Sequence, residues 1–155
     1  MDRSLVAARP VIRVLAVVMA ASTLVGGYAH LKLYNDGYKD IPVGNIGRQF
    51  LLNAIGAVAI AVGLVLALVL AVLPAWLGRV AAGGGVVWGA ISLVAFAVAR
   101  TDRGWFGFTD QPGLNPSPEA ALAVFGEAAT VALGVAVLVL GVLSASARGR
   151  RPHRA

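Results

Sequence analysis

Cysteine is absent from this chain, and histidine occurs twice, at His30 and His153. The first absence excludes disulfides, thiol redox chemistry and Cys-ligated metals; two histidines alone build no metal cage. No metal site and no cofactor is therefore expected. Charge is also scarce: Asp, Glu, Lys and Arg make up 13% of 155 residues, against about 25% in an ordinary soluble domain. No nucleophile elbow, Walker loop, dinucleotide fingerprint or HExxH signature is present. Gly83-Gly84-Gly85 sits inside an apolar run and is no phosphate cradle.

What the chain has instead is grease. Its hydrophobic fraction is 59% and its mean hydropathy +0.82. A soluble domain of one-domain length has no interior large enough for that much apolar surface, so lipid must be the solvent for much of it. A hydrocarbon layer about 30 Å thick takes roughly 20 apolar residues as helix. Four stretches qualify, at about residues 14–33, 50–73, 80–99 and 120–143. They are apolar on every face, whereas barrel strands alternate, so an all-α fold of four transmembrane helices is expected. The first stretch follows Arg3, Arg9 and Arg13 as a signal peptide would. It is too long for the usual h-region, however, and Tyr28, His30 and Lys32 stand where a small-residue cleavage site belongs. Pro74 ends the second stretch. Ser117, Pro118 and Glu119 provide a cap, a first-turn proline and an acid at the start of the fourth.

The net charge of +6 marks topology, not a nucleic-acid footprint, because the basic residues flank the apolar runs. With four crossings, residues 1–13, the turn at 74–79 and the tail at 144–155 share one side. That side carries eight basic residues (Arg3, Arg9, Arg13, Arg79, Arg148, Arg150, Arg151, Arg154) against Asp2. The positive-inside rule puts both termini in the cytoplasm and the loops 34–47 and 100–118 outside a plasma membrane. The chain then reads as a bundle of two hairpins, N-in and C-in, and its halves as a degenerate repeat. The basic tail also suits anionic lipid headgroups.

Small residues let membrane helices approach. Gly85 and Gly89, Gly126, Thr130 and Gly134, and Ala59 and Gly63 are the expected seams, within the bundle or in a homodimer. Trp76, Trp105, Phe106, Tyr28, Tyr34 and Tyr38 fall near the interfaces that suit amphipathic rings. Trp88 lies mid-helix and is expected to fill the space left by Gly84, Gly85 and Gly89.

Glu127 is the one formal charge well inside a span, eight residues past Glu119 and roughly 12 Å deep at about 1.5 Å per residue. An ionised group there costs about 2.5–3.5 kcal/mol, so it must face inward and be paired, hydrated or protonated. Thr130 shares its face. His30, Ser22, Thr23, Gln49 and Asn53 belong to the same outer half. A pocket lined by His30, Asn53, Glu127 and Thr130 is one expectation. The other is that the same groups only bond to one another and fix helix packing. The loop acids Asp36, Asp40, Asp102 and Asp110 match no calcium loop and read as solvated charges. Asn115-Pro116-Ser117 is no glycosylation acceptor, because proline stands in the middle.

The segment from Ala29-His30-Leu31-Lys32-Leu33-Tyr34 through Gly37-Tyr38-Lys39-Asp40-Ile41-Pro42 to Gly47-Arg48-Gln49-Phe50-Leu51-Leu52-Asn53 resembles part of a group of small actinobacterial membrane proteins. Phe106-Gly107-Phe108 and Pro116-Ser117-Pro118, followed by Glu127, are similar to the same group. The resemblance implies a four-helix plasma-membrane protein and no particular activity. The four-helix plan is also distantly similar to the DoxX-like family, with its links to redox and quinone biology, although no thiol role is open here.

Three functions stay in view: a non-enzymatic accessory or scaffold component of a cell-envelope complex, a small-molecule or lipid binding or transport module with an outward pocket around Glu127, and a lipid- or quinone-directed enzyme in which His30 and Glu127 exchange protons. The expected partners are the lipid bilayer and a membrane protein or a second copy, with no nucleic acid.

Overall fold

The computed structural model describes the backbone over residues 3–70 and 75–149 and the side chains over 10–70 and 76–146. Within these limits it is helical, without strands: α1 (Arg3–Asn35), α2 (Ile46–Val69), α3 (Ala75–Val98) and α4 (Glu119–Gly149). All four are long and apolar enough to cross a membrane, over Pro10–Asn35, Val43–Val69, Trp76–Val98 and Glu119–Ser146. The shortest helices have 24 residues, or about 36 Å at 1.5 Å per residue, which exceeds the hydrocarbon thickness. At most a third of each crossing is buried. The rest presents residues such as Val14, Val62, Val87 and Val139 outward, a surface that only lipid solvates at no cost.

The elements begin and end somewhat away from the expected limits. α1 starts in the basic head and runs through Pro10. α2 begins four residues before Phe50, because the left-handed Gly44 (φ 63°) and Asn45 (φ 54°) complete the turn at the loop and leave Ile46 as the first helical residue. α4 runs well past Leu143. Pro74, expected to stop the second span, and the arginines at 150, 151 and 154 lie outside the described residues, as do the side chains of Arg3, Arg9 and Arg148.

Each helix packs on two neighbours in the ring α1–α2–α3–α4, with the α1–α4 and α1–α2 contacts the most extensive and α2–α3 the least. Small residues set the closest approaches. A Cβ on Gly126 would stand 2.9 Å from the Gly26 nitrogen and the Ser22 carbonyl, so α1 and α4 touch backbone to backbone there. Gly85 takes the end of Met19, and Gly134 lies under Val86 and Met19. The expected seams at Gly85, Gly89, Gly126 and Gly134 are thus filled by this chain itself. Trp88 does not fill the space at Gly84, Gly85 and Gly89: its ring lies across Gly56 of α2, while Gly84 faces open space. Only glycine at position 56 leaves room for the indole.

The interior is divided along its length. Toward the tail end, Ala16, Met19, Ala20, Ala61, Leu64, Ala82 and Val137 form a purely apolar core. Toward the loop end polar groups, Glu127 among them, join the buried apolar residues.

Candidate binding site

Glu127 is 6% exposed, two turns into α4. Its Oε1 shares a hydrogen bond of 2.7 Å with His30 Nε2 of α1 and accepts a longer one, 3.4 Å, from Asn53 Nδ2 of α2. The Asn53 amide also donates to Ser92 Oγ of α3. One carboxylate thereby gathers side chains from all four helices. The His30 ring is held edge-on against Phe50, with centroids 4.9 Å apart. Oε2 of Glu127 takes no hydrogen bond among the described residues.

Three of the four residues expected to share a pocket do so. His30, Asn53 and Glu127 line one cavity of about 230 Å³, with Ser92 beside them. Thr130 does not reach it. It lies one turn deeper, bonded at 3.0 Å to Thr23 across the α1–α4 contact, and each hydroxyl also approaches its own helix carbonyl, Gly126 or Met19, at 2.8 Å. Two hydroxyl protons serve these three contacts. Thr23 and Thr130 are packing glue, the second of the two expected roles.

The cavity walls are apolar and aromatic: Ile46, Phe50, Trp88, Ile91, Phe96, Trp105 and Phe108. Leu52 of α2 and Ile91 of α3 belong to the lining and are both more than half exposed on the outer surface of the ring. The side wall therefore runs out to the α2–α3 seam, where the helices touch least.

The roof is the 99–110 segment. Trp105 and Phe108 exchange backbone hydrogen bonds of 2.8 and 2.9 Å around Phe106 and Gly107, both at positive φ, which turns the chain sharply and leaves Phe106 70% exposed. Trp105 Nε1 donates to Gln49 Oε1 at 2.7 Å, and Gln49 in turn donates to the Gly44 carbonyl. Tyr38 donates to Asp110 at 2.9 Å and packs on Phe50 and Phe108. Arg100 is fully engaged: it donates to the carbonyls of Phe96, Gly113 and Asn115, lies 3.4 Å over the Phe96 ring and pairs with Asp110 at 3.5 Å.

Asp110 is thus not the solvated loop charge expected from sequence. Backbone turns at 101–104 and 105–108 fold it back beneath Arg100 and Tyr38, and its own N–H bonds the Ala99 carbonyl. Burial, aided by the hydrogen bond to Asp110, pushes the Tyr38 hydroxyl well above its ordinary value of 10.0, and burial lowers that of Arg100. Tyr38 and Trp105, expected as interface anchors, are part of this roof; Tyr28, Trp76 and Phe106 remain exposed as anchors should.

Ser92, Gln49 and the Tyr38–Asp110–Arg100 group are site residues that sequence reasoning did not assign. Ser92 had a signal, being the one hydroxyl on α3; the roof pairs, 72 residues apart for Tyr38 and Asp110, had none. No family model matches this chain, and neither a curated protein nor a solved structure is similar to it.

Proposed function

We propose that the chain is a multi-pass plasma-membrane protein, a four-helix bundle of two hairpins with both ends cytoplasmic, that binds a small membrane-dissolved molecule in the cavity above Glu127. One observation carries the reading: an apolar, aromatic-walled cavity ends on a buried carboxylate that has one oxygen uncommitted. A few convergent polar groups at the end of an apolar cleft are the usual anatomy of a small-molecule site. A merely structural Glu127 needs its partners but no empty volume beside them. The orientation follows from the basic residues on the tail side and the acids on the loop side.

The accessory-subunit reading rests on small size, a thin polar inventory and small-residue stripes free to dock another helix, and here the stripes at Gly85, Gly89, Gly126 and Gly134 are filled from within. The enzymatic reading keeps the His30–Glu127 bond, a proton-transfer distance. It has no nucleophile to pair with it, since Ser92 is tied to Asn53 rather than to a base.

The test is binding of 1-naphthol to detergent-purified protein, followed by quenching of tryptophan fluorescence. Ala95 lines the cavity one turn beyond Ser92 on α3, so Ala95→Phe fills space there while leaving the Glu127 and His30 side chains themselves unchanged. Both Ala95→Phe and Glu127→Gln should weaken binding by about tenfold or more, equivalent to about 1.4 kcal/mol. Equal quenching curves for wild type and a monodisperse Ala95→Phe protein would defeat the reading.

A further inference from the structure

Resting on that reading of the cavity, we propose that its ligand is a lipophilic ammonium ion, taken from the bilayer through the α2–α3 seam in exchange for a proton held by the His30–Glu127 pair. The walls set the shape. A volume of about 230 Å³ equals about eight water volumes at roughly 30 Å³ each, enough for one ring and a short amine. Phe50, Trp88 and Trp105 line it, and aromatic rings attract a cation through their negative quadrupole.

The charges set the sign. From α1 the only titratable group facing the site is His30, and from α4 it is Glu127; α2 and α3 contribute the uncharged Asn53 and Ser92. At the roof, Arg100 is neutralised by Asp110, and Tyr38 is bonded to that same acid. Lys32 turns away to pair with Asp36 on the exposed surface. Among the described residues that line the cavity, the one formal charge with an uncommitted oxygen is therefore the Glu127 carboxylate. An anion meets that carboxylate and no free lysine or arginine in the lining, since Arg100 is engaged at every nitrogen and Lys32 pairs with Asp36; His30 commits Nε2 to Glu127, and its Nδ1 is buried without a partner.

The exchange follows from the same inventory. In its electrically neutral form, as imidazolium and carboxylate or imidazole and carboxylic acid, the pair holds one proton more than its anionic form. An ammonium ion that docks on Oε2 replaces that proton: one cation enters, one proton leaves to water at the loop end, and no covalent bond is made. The net charge inside stays at zero before and after, which avoids the cost of a lone charge in hydrocarbon. The ligand and the proton therefore compete for one site.

Phenethylamine and its uncharged isostere 2-phenylethanol are the probes, titrated into the wild-type protein in nanodiscs by calorimetry between pH 5 and 9 in weakly buffered solution. Expected are release of about one proton per phenethylamine bound, affinity that rises about tenfold per pH unit on the acid side until the pair is anionic, and 2-phenylethanol affinity that is flat with pH. Glu127→Gln should abolish the preference for the amine. Ala95→Phe should block both probes while leaving Glu127 and His30 intact, which separates occupancy from chemistry if Glu127→Gln folds poorly. If both probes bind alike without proton release, the cavity stands as a neutral-ligand site and this inference falls. If neither they nor 1-naphthol bind, the cavity reading falls with it.

Discussion

At the scale of single residues, the structure turns on groups that satisfy one another across long sequence distances. His30 and Glu127 are 97 residues apart and 2.7 Å apart in space. Removing one member of a buried pair strands the other, at a cost on the order of 3 kcal/mol. His30→Ala should therefore lower the unfolding midpoint in detergent far more than the exposed-site change Tyr28→Ala; similar midpoints would mean that the pair contributes nothing. Tyr38 gives a pH signature. Its hydroxyl is held above its ordinary value of 10.0, first by burial and then by the bond to Asp110. A group raised in the fold adds stability that is complete below pH 10 and drains away as the pH climbs past that point toward its folded value. Wild type should thus lose stability above pH 10 with a slope that Tyr38→Phe lacks, measured as the unfolding midpoint against pH. The candidate cluster itself was legible from the chain, because Glu127 is the one formal charge well inside a span and His30 and Asn53 are among the few polar groups in the same outer halves. Asp110 was misread since nothing local distinguishes an acid in open loop from one that a distant tyrosine and an arginine cover.

At the scale of helices, close approach replaces hydrophobic attraction as the cohesive principle. Gly126 and Gly141 lie on the same helix and test it as a matched pair. A methyl on Gly126 would press on the backbone of Gly26 and Ser22, which cannot give way, while a methyl on Gly141 meets nothing within 4 Å. Gly126→Ala should cost about 1–3 kcal/mol, and Gly141→Ala should be neutral or stabilising; unfolding in a denaturing detergent titration reads both. Thr23 and Thr130 should couple by about 0.6 kcal/mol in a double-mutant cycle, the usual worth of a polar contact between membrane helices. The spans were evident from sequence because twenty-residue apolar runs have no soluble alternative. Their ends were not: Gly47, Arg48 and Gln49 look like loop residues, yet they lie in the first turn of α2 because Gly44 and Asn45 have already completed the reversal. The partner of each seam was also hidden, since Gly56 and Trp88 are 32 positions apart with no pattern linking them.

At the scale of the whole molecule, the absence of cysteine makes the topology directly testable. Gln111 in the roof loop and Ser146 near the end of α4 are both exposed and lie at opposite ends of the helices. With single substitutions Gln111→Cys and Ser146→Cys, a membrane-impermeant maleimide should label the first on intact cells and the second only after permeabilisation; the reverse pattern would invert the orientation. The polar cluster also constrains biosynthesis. Of the four crossings, a ribosome delivers α4 last, and α4 carries the acid. Among the described residues, the side chains hydrogen-bonded to that acid or to its partners, His30, Asn53 and Ser92, stand on helices made earlier. When the carboxyl arrives, its partners are therefore already made, and the ring closes by docking it into a waiting socket instead of leaving it unpartnered in hydrocarbon.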